Sequence, residues 1–182
     1  ILVSEALHEQ NITDIARQIA HHRREARIVL ISGPSSSGKT TFSRRLAIQL
    51  LALGLSPFAL ELDSYFVDRE KTPLDDKGQF NFEALEALDL NLLGDHLTRP
   101  IAGETGTLPR YDFKAGRQVT GDAVQLTPDQ IIILEGIHGL DPRLLPESVS
   151  GRAFRIYGAA LTQLNLDRHN RVSTADTRLI RR

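Results

Sequence analysis

The chain of 182 residues is 41% hydrophobic, balances 22 Lys and Arg against 23 Asp and Glu for a net charge of −1, and contains neither cysteine nor methionine. That is enough apolar chain for one substantial core, without the uninterrupted apolar run of a membrane span. Near-neutrality argues against broad electrostatic binding of nucleic acid, and the lack of cysteine excludes disulfides and thiolate metal sites. Cysteine usage is compatible with a reducing compartment, and a cytoplasmic location is the expectation. With no methionine even at position 1, the chain is expected to be part of a longer protein.

In chain order, Ser4 to Glu25 shows an apolar stripe through Ile12, Ile15, Ala16 and Ile19, which predicts one helix packed on the core from outside. His21 and His22 follow it, but adjacent helical residues point in different directions and no third ligand is evident, so they read as a solvated face rather than a metal site. Residues 1–26 thus read as an N-terminal helix, either the end of a preceding region or a packing arm, ahead of a domain from 27 to 182 that is expected to be truncated at its C-terminal end.

Ile28 to Ile31 is an apolar run that predicts a buried strand, and Thr41 to Leu53 predicts an amphipathic helix with Phe42, Leu46 and Leu50 on one stripe. Between them lies Gly33-Pro34-Ser35-Ser36-Ser37-Gly38-Lys39-Thr40, which fits the phosphate-loop pattern G-x-x-x-x-G-K-[ST] at every constrained position. The chemistry requires this order. Glycines let successive backbone N–H groups turn inward on a phosphate, Lys39 reaches the β/γ oxygens, and the Thr40 hydroxyl serves Mg²⁺.

After Gly54 closes that helix, Pro57 to Leu62 predicts a second strand ending at Asp63. Arg69 to Gly78 reads as an exposed loop, and Asn81 to His96 as a helix on the spacing of Phe82, Leu85, Leu88, Leu92 and Leu93. Gly103 to Thr127 is broken repeatedly by Gly and Pro, which predicts a small β-hairpin excursion. Gln130 to Leu134 is the kind of continuous apolar run found in a central parallel strand covered on both faces, and it ends at Glu135. Ala153 to Tyr157 is a further strand. Strands alternating with helices imply an α/β fold with a mainly parallel sheet and its ligands at the carboxyl ends of the strands.

Three chemically active positions therefore share one edge: the loop from Gly33, Asp63, and Glu135. Asp63 reads either as a base for a substrate hydroxyl or as a turn or helix cap with Ser64. Glu135 reads either as a metal-associated carboxylate opposite Thr40 or as a strand-end charge facing water. Tyr65 and Tyr111 carry polar tips suited to a wet pocket edge, whereas Phe66 and Phe113 read as core. His138, after the Glu135-Gly136 turn, reads either as a group approaching the phosphates or, in preference, as a structural histidine bonded to a backbone carbonyl.

Taken together, Gly33 to Thr41, Leu62-Asp63-Ser64-Tyr65-Phe66, Arg110-Tyr111-Asp112-Phe113, Ile133-Leu134-Glu135-Gly136-Ile137 and Ala175 to Arg182 resemble, in that order, the uridine kinase and phosphoribulokinase family. The resemblance spans about Arg27 to Arg182 and is strongest to a bacterial uridine kinase-related group whose kinase domain follows a region related to part of threonyl-tRNA synthetase. It implies a P-loop kinase fold that uses ATP or GTP with Mg²⁺ to phosphorylate a hydroxyl, in uridine kinases the ribose 5′-hydroxyl. By the same resemblance Asp63 matches the base, Gly33 to Thr41 the phosphate loop, Glu135 the metal-associated carboxylate, Tyr111 the nucleoside-contacting tyrosine, and Arg178, Arg181 and Arg182 the arginines of a lid helix. One departure bears on the acceptor: the family's uridine-cytidine kinases carry a pyrimidine-contacting histidine shortly after Tyr-Asp-Phe, where this chain has Lys114-Ala115-Gly116-Arg117. A kinase for another sugar or vitamin hydroxyl, and a nucleotide-dependent regulatory or RNA-associated module with little turnover, are the rival readings. Assembly of like copies is compatible with the sequence.

Overall fold

The computed structural model describes residues 2–101, 105–125, 127 and 130–159, and the arginines at 178, 181 and 182 lie outside them. Helix α1 (Leu2–His21) leads into strand β1 (Ile28–Ser32), the phosphate loop and helix α2 (Lys39–Ala52). Strand β2 (Ser56–Glu61) follows and runs into a 3₁₀ turn at Leu62–Tyr65. Helix α3 (Leu90–Ile101) precedes the hairpin of β3 (Thr105–Asp112) and β4 (Arg117–Gln125), after which come β5 (Gln130–Gly136), the short α4 (Glu147–Ser150) and β6 (Ala153–Tyr157).

The main sheet has the order β2-β5-β1-β6, and every pairing in it is parallel. β1 and β5 lie in its middle, which is why their sequences are continuously apolar: Ile28 to Ile31 and Ile131 to Leu134 are all buried. Alternate residues serve opposite faces. Val29, Ile31, Ile131 and Ile133 pack with Ile12, Ala16 and Ile19 of α1 and Leu46 and Leu50 of α2. Ile28, Leu30, Ile132 and Leu134 pack on the other side with Leu62, Tyr65, and Leu93 and Leu97 of α3. The sheet is thus covered by helices on both sides, as expected, and α1 is a full member of one core, its Ile12, Ala16 and Ile19 having no exposed surface.

Two expectations about this part of the chain do not hold. The helix expected over Asn81 to His96 begins only at Leu90. Asp89 caps it, its Oδ1 accepting the Leu92 amide hydrogen at 3.0 Å, while Asn81 Oδ1 accepts from Glu83 N at 3.1 Å and Leu85–Ala87 forms a 3₁₀ turn. Leu85 and Leu88 are buried without belonging to α3, so their three-residue spacing imitated a helical stripe. Phe113, expected in the core, is 61% exposed at the tip of the β3–β4 hairpin.

That hairpin forms its own antiparallel sheet, as the broken sequence from Gly103 to Thr127 predicts. It is docked on the segment after β2: Asp68 Oδ1 accepts the Gln118 amide hydrogen at 3.1 Å, and Arg69 N donates to Gly116 O at 2.8 Å. Among the described residues no helix is long and apolar enough to cross a membrane.

Candidate active site

The carboxyl ends of β1, β2 and β5 meet at one edge of the sheet, and the connections leaving them are tied together there. Ser32, the last residue of β1, donates from Oγ to Ile137 O at 3.0 Å, and its carbonyl accepts from Gly158 N at 2.7 Å. The phosphate loop is therefore anchored to the segments that follow both neighbouring strands. Gly33 opens the loop where a Cβ would lie 2.5 Å from Gly158 O, so no larger residue fits. Gly38 closes it at φ +92°, the left-handed conformation from which α2 starts. Lys39 Nζ donates to Pro34 O at 3.0 Å, folding its stem back over the loop.

Around this loop lies a pocket of about 210 Å³ lined by Ser35, Ser36, Lys39 and Thr40 from the loop and by Glu61, Asp63 and Glu135 from the neighbouring strand ends. Thr40 Oγ1 donates to Glu135 Oε1 at 2.7 Å, joining loop and β5. The other carboxylate oxygen, Glu135 Oε2, is buried and has no hydrogen-bond partner among the described residues. Burial is the main reason the Glu135 carboxyl is held above its ordinary range; the Thr40 hydrogen bond and Lys39 oppose that, and the charges of Glu61 and Asp63 reinforce it. Asp63 is likewise raised, first by burial, with Lys39 and then His138 pulling it back down.

A desolvated carboxylate oxygen without a partner, next to a hydroxyl and two further acids, is an environment short of positive charge. It suits a hard cation that prefers oxygen ligands, and Mg²⁺ characteristically uses one or two carboxylates together with phosphate and water. Among the described residues there is no cluster of three or more His, Cys, Asp or Glu that would hold a metal by side chains alone. The donor set therefore fits an ion that arrives with a phosphate ligand.

The turn after β2 sorts the side chains of Leu62–Tyr65. In a 3₁₀ turn residues three apart lie above one another, so Leu62 and Tyr65 both point into the core while Asp63 turns to the pocket. This corrects the expectation for Tyr65: its ring is completely buried, its hydroxyl lies 3.2 Å from His96 Nδ1, and burial pushes its pKa far above the usual tyrosine value. Tyr65 is a core residue and not part of a pocket edge. Asp63 caps no helix; the cap position of its turn is Glu61, whose side chain makes no capping hydrogen bond.

Tyr111 is only 6% exposed and does not line the pocket. Its ring packs edge-on to Phe66 and Phe113, with centroids 5.6 and 5.1 Å away, and its hydroxyl is buried without a partner among the described residues. Ser37, Gly38 and Thr41 face a second hollow on the opposite flank of the loop.

Near the pocket, Glu61 was not singled out from sequence, and His138 does not make through Nε2 the backbone-carbonyl bond expected of it. Glu61 stands directly across from Glu135 in the β2–β5 register, and only that register, invisible in a linear chain, reveals it. His138 has a buried Nε2 with no partner among the described residues and lies close enough to Asp63 for each to shift the other's proton affinity. Its own pKa is lowered, chiefly by burial.

A family model described as "Phosphoribulokinase / Uridine kinase family" matches residues 28–150. A uridine kinase from Halobacterium salinarum is 29% identical over 154 residues, covering 84% of this chain and 59% of that protein. One from Aliivibrio salmonicida is 34% identical over 124 residues, covering 64% of this chain and 55% of that protein. The chain thus spans rather more than half the length of these relatives. Among solved structures, that of a possible uridine kinase from Bacillus stearothermophilus superposes with a TM-score of 0.60 at 24% identity, covering 81% of this chain and 79% of the other, which establishes the shared fold.

Proposed function

The chain belongs to the phosphoribulokinase / uridine kinase family, and from that membership and the pocket described above we propose that it transfers the γ-phosphoryl group of ATP or GTP to a hydroxyl of a small molecule, in the first instance the 5′-hydroxyl of a pyrimidine nucleoside. The observation that carries this reading is the convergence of Lys39, Thr40, Asp63 and Glu135 on one pocket at the carboxyl edge of the sheet.

Phosphoryl transfer needs little covalent help from the protein; it needs placement and charge. The loop amides and Lys39 hold the β- and γ-phosphates. Asp63, across the pocket, orients the acceptor hydroxyl and takes its proton as the oxygen attacks phosphorus; the bond from phosphorus to the β,γ-bridging oxygen breaks and the nucleoside diphosphate leaves. Burial makes Asp63 a better proton acceptor than an exposed aspartate, because it raises the pKa. Thr40 and Glu135 would hold Mg²⁺, which neutralises phosphate charge when bound. Arg178, Arg181 and Arg182, spaced to share one helical face, would add positive charge around the transferring group.

On the acceptor side the β3–β4 hairpin presents the exposed Phe113, against which the buried ring of Tyr111 packs edge-on. A second reading, in which the acceptor is another sugar or vitamin hydroxyl, is favoured by one observation. At Gly116, in the stretch where the resemblance expects a pyrimidine-contacting histidine, the guanidinium of Arg69 fills the space a side chain would need: a Cβ there would lie 2.9 Å from Arg69 Cζ.

The test is acceptor-dependent ADP release over a panel of nucleosides, sugars and hydroxy acids, run on the wild type and on Asp63→Asn. The variant should bind ATP nearly normally and lose roughly 10²- to 10⁴-fold in kcat, the scale of a positioned general base. Wild-type turnover in Asp63→Asn would remove that residue from the mechanism, and turnover of sugars but not nucleosides would select the second reading.

A further inference from the structure

The phosphate loop has two flanks, and only one has been given a role. On the far flank, Ser37, Gly38 and Thr41 border a hollow of about 270 Å³ that is also lined by Phe42, with the exposed His8 of helix α1 on its rim. We propose that this hollow receives the nucleoside end of the triphosphate donor and that His8 stacks against its base. The proposal rests on the reading of the loop as a triphosphate cradle, and it assigns a donor contact to a helix that lies outside the family match of residues 28–150.

Connectivity supports it first. Lys39 lines both the hollow and the pocket that contains Asp63, so the two spaces meet at the loop's cation. A triphosphate whose γ end reaches Asp63 carries its α-phosphate and nucleoside along the loop amides in the other direction, past Thr41 in the first turn of α2. The hollow lies on that course.

Its chemistry supports it second. Phe42, only partly buried, provides apolar surface for a planar base, and Ser37 Oγ is buried with no hydrogen-bond partner among the described residues, a group that a polar ligand atom would satisfy. His8 is exposed, so its ring is available to lie over a base.

The rim is also held in place. Ile12, Ala16 and Ile19 fix α1 in the core beneath it, and Glu9, the neighbour of His8, forms an ion pair with Arg45 of α2. Stacking on a side chain carried by an anchored helix costs less ordering than stacking on one carried by a mobile segment.

The test is calorimetric titration of the full-length protein with ATP and, separately, with inorganic tripolyphosphate, using wild type, His8→Ala and His8→Phe. Since His8 is exposed, neither substitution removes a core contact. His8→Ala should weaken ATP binding roughly tenfold, the scale of one base–aromatic stack, and leave tripolyphosphate binding unchanged; His8→Phe, which keeps a ring, should retain ATP affinity. Unchanged ATP affinity in His8→Ala, or equal losses for both ligands, would overturn the assignment while leaving the loop reading intact. Loss in His8→Phe as large as in His8→Ala would overturn stacking as the contact. A wild-type protein that binds neither ligand would overturn the loop reading and this assignment with it.

Discussion

Glu135 sits where a carboxylate weakens the fold it belongs to. Burial raises its pKa above the ordinary glutamate value of 4.5, with Glu61 and Asp63 adding to the rise, so the folded state binds its proton more tightly than the unfolded chain does. The stability associated with the neutral acid is fully present below that ordinary value and is lost as pH rises through the raised one. Glu135→Gln removes the charge while keeping an oxygen for the Thr40 hydroxyl. Thermal melts of the metal-free protein should therefore show the variant more stable than wild type at neutral pH, with the difference vanishing at pH values below the ordinary glutamate range. The same variant should lose Mg²⁺-dependent phosphoryl transfer. Equal melting temperatures at neutral pH would show that Glu135 is better solvated than its buried Oε2 indicates.

At the scale of elements, α1 invites the clearest test. Its three buried residues face β1, β5 and α2, and Ile12 has no exposed surface. Ile12→Ala leaves a cavity that the two-sided packing cannot easily close, and the expected cost is about 2–5 kcal/mol, read from urea denaturation. A loss under about 0.5 kcal/mol, the range of ordinary surface substitutions, would mean that α1 rests on the surface. The stripe of Ile12, Ala16 and Ile19 was legible in the sequence because a helix packed on one side keeps a strict period. The stretch from Asn81 to Asp89 was misleading for the same reason. Side chains buried from a 3₁₀ turn and an extended segment happened to fall three residues apart, and the signal that separates them from α3 is the capping aspartate at 89.

Across the whole molecule, ligand binding should be visible as stability. A nucleotide at a hundred times its dissociation constant adds about 2.7 kcal/mol to the folded state, which for a chain of this size corresponds to roughly 5–10 °C in melting temperature. Scanning calorimetry with ATP and Mg²⁺ should show this rise, and Lys39→Ala should abolish most of it; an equal rise in both would place the nucleotide away from the loop. The sheet and the pocket's principal groups could be read in advance because Gly33, Asp63 and Glu135 each follow an apolar run in the sequence, and parallel strands deliver their carboxyl ends to one edge. What sequence could not supply were relations across strands, such as Glu61 opposite Glu135, and the inward turn of Tyr65, which depends on a single 3₁₀ turn.

The family match begins at Ile28 and ends at residue 150, yet the sheet needs more than that interval. β6, which pairs with β1 along its whole length, lies after it, and α1, which with α2 shields Val29, Ile31, Ile131 and Ile133 from water, lies before it. A gene fragment trimmed to the homologous boundaries would strip an edge from β1 and uncover an apolar face, and its product would be prone to self-association for reasons unrelated to catalysis. The segment the family model matches is, in this molecule, shorter than the segment that completes the sheet and its cover.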